Sequence, residues 1–459
     1  MDPTLILPRE LVQDILQLCQ EPSQVGFPGP QLKQEAPWVF SYVSSRWRQL
    51  VLSSPTLWSK ISITLPYSEK SARNYKNIAH LVLERSQSAS VAVLLCKEHA
   101  GAEQLLLHED LLMAAVRASH RWSSFRLLGD LSDPQIDILA SVRPHTLTQL
   151  DLSRSGATGR LLDVFEQASR LRVVRLFSIP ETDGTRFPWA HIVNMTLNFG
   201  DSDLDWLLRT ISERLSSLET LSLNKMFDLP MEDLPAASQT YTLFTLKTLC
   251  ITPTGSAFNY NPGVILDRIV TPALSTLSLD IGSSSVASSI TALITRSSCS
   301  ATFTSLSLTI PANPFLAIDD ASSSGAFNAA DLLPLFQHTP ALSHLHLAGT
   351  RTDVALLRAL TLPAPTDTPE EALPPLLPAL ASLAVTSTHN ALLSLVGSRF
   401  APAGEEDAAE LSRTPPLPRT LKRVRLAAVD LQHVGAELAH GFYEMEQLGL
   451  DVGILRLED

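Results

Sequence analysis

The sequence predicts an α/β fold, in which a short N-terminal helical module precedes a solenoid of repeated strand–helix units. Three observations lead to this prediction. One short apolar pattern recurs twelve times from residue 122 onward, and helical patterns lie between its copies. Three of the six tryptophans lie in the first 60 residues, where the pattern is absent. We therefore predict a helical domain over 1–63, a connector over 64–120 and a solenoid over 121–459.

The repeated pattern reads apolar-x-x-apolar-x-apolar, and its copies from residue 122 to residue 445 lie about 29 residues apart on average. The second and third apolar residues are two positions apart, so on a strand they point to the same side. Each unit would bury this side only against its neighbours, which is how a solenoid is built. The copies begin at Trp122, Leu147, Leu171, Ile192, Leu218, Leu246, Leu274, Phe303, Leu342, Leu380, Leu421 and Met445.

Helical periodicity fills the intervals between the predicted strands. In DSDLDWLLRTISERL, apolar residues from Leu204 to Leu215 form one face, and Ser202 or Asp203 is a suitable N-cap. RLLDVFEQA, DLLPLFQH and TDVALLRAL show the same periodicity. The Pro-rich acidic stretches 362–378 and 401–418 indicate surface insertions, either tolerated loops or loops that contact or regulate a substrate; 282–289 and 321–328 are weaker candidates.

The N-terminal segment contains two helical patterns separated by a Pro/Gly-rich loop at 20–36. The first pattern follows Pro8, a favourable first helical residue, and its apolar residues run from Leu11 to Cys19. The second lies in PWVFSYVSSRWRQLV, and the strand-like ISITL follows it. Helices this short and apolar cannot cover one another completely, so another surface must cover the remainder.

Composition narrows the functional classes. The 459 residues carry a net charge of −12, with 45% hydrophobic and 18% charged residues, which disfavours both a disordered chain and a nucleic-acid-binding protein. The four cysteines are widely separated, which fits a reducing compartment. MDPTLILPRE does not resemble a secretory signal, and no apolar run approaches the ~18 residues that cross a bilayer. We expect a cytoplasmic or nuclear protein.

Residues 5–63 resemble an F-box. LPxEL at 7–11, Ile15, VxxRW at 43–47, Leu50 and SPxLW at 54–58 match the order of that family's pattern. The remainder resembles the degenerate leucine-rich repeats of F-box proteins from mushroom-forming fungi, and HLVLERSQSASVAVLL at 80–95 resembles their linker. Two departures stand out: the 20–36 loop is long, and the repeat lacks its usual Asn, being followed by residues such as Ser155, Ile179 and Gly200.

The resemblance implies that the F-box binds a Skp-type adaptor, which connects to a cullin–RING ubiquitin ligase, while the repeats bind a protein substrate. Ile15 and Trp47 are open to a second interpretation, as core residues of the small domain. Pro8, Leu11, Pro55 and Trp58 favour the interface. The implied contacts are Leu7, Pro8, Leu11, Ile15, Val43, Trp47, Leu50, Pro55, Leu57 and Trp58.

The residues offer little support for catalysis. P-loop, H-E-x-x-H and G-x-S-x-G motifs are absent from the sequence, and we expect no enzyme activity, no cofactor and no metal. His344 and His346 would face one side of a strand, where exposed surface is favoured over a metal pair or substrate recognition. Lys422, Arg423 and Arg425 indicate a solvated face or contact with an acidic partner.

Three functions remain open at this stage. The first is a substrate receptor of an SCF-type ligase, the second a non-catalytic scaffold with a vestigial F-box, and the third, least supported, a hydrolase or transferase embedded in the repeats. The substrate itself stays unknown. Its recognition is predicted at exposed strand positions: Thr148, Asp151, Arg172, Arg175, Thr220, Ser222, Ser275, Ser278, Ser343 and His346.

Overall fold

The computed structural model divides the chain into two compact units, residues 1–198 and 199–459. The units are described separately below. The structure describes residues 7–19, 36–65, 69–97, 109–156, 158–180, 184–199, 204–225, 239–253, 261–281, 286–310, 329–348, 354–362, 376–385, 391–400, 420–427 and 436–455. Most of the Pro/Gly-rich loop at 20–36 and of the two acidic insertions therefore lies outside the described residues, as do Ser202 and Asp203.

The first unit contains a parallel six-stranded sheet whose strands lie side by side in chain order. Its strands are β1 Lys60–Leu65, β2 Val91–Lys97, β3 Trp122–Leu128, β4 Gln149–Arg154, β5 Val173–Leu176 and β6 Asn194–Phe199. Its helices are α1 Arg9–Leu18, α2 Ser45–Leu52, α3 Glu69–Arg85, α4 Glu109–Arg117, α5 Asp133–Leu139 and α6 Gly159–Asp163. Strands β1 and β2, which precede residue 121, also belong to this sheet.

The second unit repeats the arrangement with eight parallel strands in one sheet and a separate pair, β8 and β10. Its strands are β7 Thr220–Lys225, β8 Tyr241–Thr242, β9 Thr248–Pro253, β10 Ile269–Val270, β11 Thr276–Asp280, β12 Ser305–Thr309, β13 His344–Ala348, β14 Ser382–Val385, β15 Arg423–Ala427 and β16 Asp451–Leu455. Its helices are α7 Leu204–Arg214, α8 Gly263–Leu266, α9 Val286–Ser297, α10 Ala329–Gln337, α11 Val354–Leu360, α12 Ala391–Arg399 and α13 Ala436–Gln447. The candidate loop at 282–289 therefore overlaps the start of α9.

The repeated pattern sets the register of these sheets. Leu277 of β11 is paired with Leu249 on one side and Leu306 on the other, and both neighbours occupy the same position of the pattern. All three leucines are buried. The two inward positions of successive units therefore form continuous apolar columns under the sheet. This confirms the predicted strand–helix solenoid within each unit.

Threonine hydroxyls join some of the successive units at the start of the strand. In these units the threonine before the first apolar position donates a hydrogen bond to the carbonyl of that position in the previous unit. Thr245 Oγ1 lies 2.8 Å from the Leu218 carbonyl oxygen, Thr302 Oγ1 lies 3.2 Å from that of Leu274, and Thr420 Oγ1 lies 2.8 Å from that of Leu380. These bonds satisfy backbone carbonyls at the turn into these strands.

Two sequence predictions are corrected by the structure. The twelfth copy of the pattern, predicted to start a strand at Met445, lies at the end of α13, and the strand follows at Asp451–Leu455. Gly449 has φ of 101° and reverses the chain after the helix, as glycine commonly does. The predicted second N-terminal helix is split into a 3-10 turn at Val39–Tyr42 and α2, because Ser44 is extended and caps α2 through the Trp47 amide.

Every helix within the described residues is too short or too polar to cross a membrane.

Candidate protein-binding surface

Helix α1 exposes three of its five apolar residues. Val12 and Leu16 are buried in the first unit, whereas Leu11, Ile15 and Leu18 are 49%, 45% and 84% exposed. The exposed three are spaced i, i+4, i+7 and therefore lie along one side of the helix. The sequence pattern predicted one apolar face for this helix. Its apolar residues instead lie on two sides, one facing the core and one facing outward.

Further apolar side chains are exposed in the segment that follows. Val39, Tyr42 and Val43 lie in and beside the 3-10 turn, and Leu52 ends α2. Of the eleven large hydrophobic residues that are exposed within the described chain, seven lie between residues 11 and 52. Scattered exposed apolar residues are ordinary, but this concentration in one short segment indicates an interaction surface. We call these seven residues the apolar surface.

Hydrogen bonds hold α1 against the end of α2. The Arg9 guanidinium donates to Ser53 Oγ, and the Gln13 side-chain amide donates to Ser54 Oγ. The Ser54 hydroxyl also donates a hydrogen bond to the Leu50 carbonyl at 2.6 Å. This bond anchors the segment that contains Ser54 to the end of α2. The apolar surface is therefore carried by helices in a defined arrangement.

The ten sequence-predicted adaptor contacts fall into three groups. The exposed ones are Pro8, Leu11, Ile15 and Val43, and the half-buried ones are Leu7, Trp47 and Pro55. Leu50, Leu57 and Trp58 are buried in the first unit. In the chain without a partner these three side chains lie in the core, so they would support an adaptor-binding surface from beneath it.

Trp58 is the centre of the N-terminal core. Its indole Nε1 donates to the Val51 carbonyl at 2.8 Å, and its ring packs edge-to-face on Trp38 with centroids 4.9 Å apart. The Arg85 guanidinium, at the end of α3, lies 4.4 Å from the Trp58 ring centroid and 5.3 Å from that of Trp38. Burial lowers the pKa of Arg85, although α3 leaves it partly exposed. This contact joins the N-terminal helices to the connector.

Sequence reasoning missed part of the apolar surface. Tyr42, Leu52 and Leu18 are not among the predicted contacts, and Leu18 is the most exposed of the three α1 residues. A signal was present, because α1 has more apolar residues than one side of a ten-residue helix needs. The choice of buried side depended on the contacts made by the rest of the unit.

The outward face of the second sheet is polar. Ser307 and His346 occupy paired positions on β12 and β13, and Ser307 Oγ lies 3.0 Å from His346 Nδ1. His344 is exposed, but His346 is half-buried, which corrects its prediction as exposed surface. No group of three or more His, Cys, Asp or Glu suited to a metal is found in the described part of the chain.

Partial burial shifts the pKa of three titratable groups on this face toward the uncharged form. Desolvation raises the pKa of the Cys250 thiol and of the Asp280 carboxyl, and it lowers the pKa of His346. A thiol with a raised pKa is a poor nucleophile at neutral pH. These three groups therefore favour a hydrogen-bonding surface over a reactive one.

We expect His346 to make stability depend on pH. Its folded-state pKa lies below the ordinary value of 6.5, so the unfolded chain binds a proton that the folded chain excludes. Stability should be constant above about pH 6.5 and fall as the pH decreases toward the folded-state pKa. Urea unfolding between about pH 5 and pH 8 measures this slope, which His346→Gln should reduce. The exposed His344→Gln is the matched control, and equal slopes in His346→Gln and the unsubstituted protein would contradict the expectation.

Comparisons with known proteins add little to this description. No protein-family model matches the chain, and no curated protein matches it. Among solved structures, an internalin from Listeria monocytogenes is similar over 85% of this chain and 95% of its own, with 12% sequence identity and a TM-score of 0.33. A likeness of this size supports no argument about function.

The class of protein follows from the repeats themselves. Leucines at fixed steps, parallel strands paired in register and helices between them give the chain leucine-rich-repeat character. Repeat proteins of this kind present extended strand faces and serve as protein-interaction scaffolds.

Proposed function

We propose that this chain is the substrate-recognition subunit of an SCF-type cullin–RING ubiquitin ligase. In this proposal the N-terminal helices bind a Skp-type adaptor, the adaptor connects to a cullin, and the outward strand faces bind a protein substrate. The chain contributes no reacting group. It would promote ubiquitin transfer by holding the substrate close to a charged conjugating enzyme, which raises the effective concentration of the reacting partners.

The apolar surface is the observation that carries the proposal. It lies in the segment whose sequence matches the F-box pattern, and Leu11 and Ile15 belong to both. An outward apolar helix side is the feature that a partner helix or groove recognises, with spacing i, i+4, i+7 as its register. Association would cover side chains that the described first unit leaves open to solvent.

The proposed contacts follow the exposure of each residue. Pro8, Leu11, Ile15 and Val43 would contact the adaptor directly, and Leu7, Trp47 and Pro55 would lie at the margin. Leu50, Leu57 and Trp58 would support the surface from the core. Tyr42 and Leu52 join the set because they are exposed beside it.

Affinity purification of the full chain tests the proposal directly. We expect a purified Skp-type adaptor to be retained, and a cullin to be retained only when the adaptor is present. Failure of the full chain to retain the adaptor would contradict the proposal. Retention of the adaptor without the cullin would favour the alternative, a non-catalytic scaffold with a vestigial F-box, which the long 20–36 loop suggests.

Leu11→Asp should weaken adaptor binding at least tenfold, which corresponds to about 1.4 kcal/mol. The side chain is 49% exposed, so a carboxylate is hydrated in the free chain, whereas in the complex it would be buried against apolar groups without a partner. Isothermal titration with the adaptor measures the change.

Leu448→Asp provides the matched control, because Leu448 is 52% exposed and lies in the second unit. We expect it to leave adaptor affinity unchanged. Equal weakening by both substitutions would show that the apolar surface is not the binding site.

A further inference from the structure

The outward face of the first sheet contains a row of alternating charges. Arg126 on β3, Asp151 on β4 and Arg175 on β5 occupy paired positions across the three strands. Arg126 Nε lies 3.2 Å from Asp151 Oδ2, and Arg175 Nη1 lies 4.0 Å from the same oxygen. Two cations therefore flank one carboxylate, and the row has an excess positive charge.

Asp151 is held within its own strand. Its Oδ1 accepts hydrogen bonds from the Ser153 amide at 3.1 Å and from the Ser153 hydroxyl at 2.7 Å. Its side chain is 15% exposed, whereas those of Arg126 and Arg175 are 40% and 58% exposed. The carboxylate thus positions the Arg126 guanidinium through its Nε edge, and the two Nη atoms are left toward solvent.

The outer nitrogens of both arginines remain available. Within the described residues, no hydrogen bond from the Nη groups of Arg126 or Arg175 is found beyond the long contact of Arg175 to Asp151. A guanidinium carries five N–H donors in a planar fork that matches a carboxylate. The row can therefore take up further oxyanions without breaking its internal contact.

The strands of the first unit carry more positive charge than those of the second. The six strands of the first unit contain five cationic residues and one acidic residue, within a chain of net charge −12. The cationic residues are Lys60, Lys97, Arg126, Arg154 and Arg175. In the second unit, by contrast, three cationic strand residues stand against two acidic ones. The excess positive charge is concentrated on the strands of the first unit.

We propose that this face binds an extended, Asp/Glu-rich segment of a protein partner through Arg126 and Arg175. The proposal deepens the proposed function, because it assigns a chemical class to the substrate. Strands β3 and β5 are two strand spacings apart, about 10 Å. Carboxylates two residues apart lie on one side of an extended chain about 7 Å apart, and the long Glu and Arg side chains span the remaining distance, so two acidic residues of one segment can reach both arginines.

The test uses the full chain and labelled peptides of twelve residues, one alternating Glu and Gly and one alternating Gln and Gly. Fluorescence anisotropy should show saturable binding of the Glu peptide, at least tenfold tighter than that of the Gln peptide, and weakening with added salt. Equal affinity for both peptides would overturn the proposal, and so would tighter binding of single-stranded RNA than of the Glu peptide.

Two variants and one control identify the site. Arg126→Gln/Arg175→Gln should weaken binding of the Glu peptide at least tenfold, and Arg126→Glu/Arg175→Glu should bind an alternating Lys–Gly peptide instead. Arg160→Gln, which removes a cation paired with Asp133 and Asp137 on the helix side, should bind as the unsubstituted chain does. If circular dichroism shows that Arg126→Glu/Arg175→Glu does not fold, Arg126→Gln/Arg175→Gln decides the outcome.

The same preparation is also titrated with the adaptor. Peptide binding without adaptor binding would refute the proposed ligase role and retain the acidic-segment site. Adaptor binding without preference for the Glu peptide would refute the acidic-segment site and retain the proposed ligase role.

Discussion

Trp58→Ala should lower the local free energy of unfolding of the N-terminal helices by about 3–5 kcal/mol, the usual cost of removing a large aromatic side chain from a core. The side chain is fully buried, and its removal also leaves the Val51 carbonyl without the indole donor. The packing on Trp38 and the contact with the Arg85 guanidinium would be lost as well. Hydrogen exchange of the full chain, followed over residues 44–58, measures the local change.

Adaptor binding should fall in the same variant, because the helices that carry the apolar surface would no longer be held in place. Trp58→Phe separates the loss of packing from the loss of the hydrogen bond. It keeps most of the ring and removes the hydrogen bond, so it should lower the free energy of unfolding less than Trp58→Ala does. Phe244→Ala is the matched control, since that aromatic side chain is 73% exposed. Exchange rates in Trp58→Ala equal to those of the control would contradict the core role.

Arg399→Met should destabilise the second unit by about 3–5 kcal/mol, because two buried carbonyls and one partly buried carbonyl would lose their donor at about 1–3 kcal/mol each, with partial relaxation. The Arg399 side chain is fully buried at the end of α12. Its Nε donates to the Leu360 carbonyl at 2.7 Å, its Nη1 donates to that of Leu377 at 2.8 Å, and its Nη2 donates to that of Leu376.

These bonds hold a strained turn against the end of the preceding helix. Leu360 is the last residue of α11, and Leu377 has φ of 50°, which is uncommon for a leucine. Burial lowers the pKa of Arg399 to about 10, so the guanidinium remains charged at neutral pH. The charge is stabilised by carbonyl dipoles at a helix C-terminus, where a cation is favourable.

Urea denaturation of the full chain measures the loss. Arg358→Met is the matched control, because Arg358 is exposed on the neighbouring helix α11. We expect the control to change stability by less than about 0.5 kcal/mol, as surface substitutions generally do. A similarly small effect of Arg399→Met would show that the carbonyls find other donors.

Arginine side chains donate to carbonyls near the end of a preceding helix elsewhere in the chain as well. In the second unit, Arg296 at the end of α9 donates to the Leu266 carbonyl at 2.7 Å and to the Ile269 carbonyl at 2.8 Å. In the first unit, Arg121 donates to the carbonyls of Leu83, Gln87 and Ala89 around the end of α3. Arginines at helix ends therefore stabilise the end of the preceding helix, a regularity that the sequence pattern of the strands does not reveal.

The repeat architecture could be predicted because its signal is local and repeated. Eleven of the twelve copies of the apolar pattern begin at or just before an observed strand, since each copy places two apolar residues on one side. The twelfth failed because Met445 and Leu448 also satisfy a helical spacing, and a six-residue pattern cannot separate the two. Gly449, a helix-ending residue, was the signal that could have corrected it.

The candidate binding surface was only partly predictable. The F-box-like pattern identified Leu11, Ile15 and Trp58 alike, because a short motif does not distinguish a residue that contacts a partner from one that supports it. Burial separates them: Trp58 lies in the core, and Leu11 and Ile15 face outward. That distinction depends on Trp38 and Arg85, which are 20 and 27 residues away in the chain.

The sequence by itself determined the repeating strand–helix order, because hydrophobic periodicity is a property of neighbouring residues. Only the tertiary structure decided which side of α1 faces solvent, which hydroxyls and arginines bond to the carbonyls of the preceding unit, and that Arg126, Asp151 and Arg175 form one row. Those features join residues about 25 or more positions apart, and their energies depend on distances and burial that arise when successive units stack. Contacts of this kind leave no periodic trace in the chain.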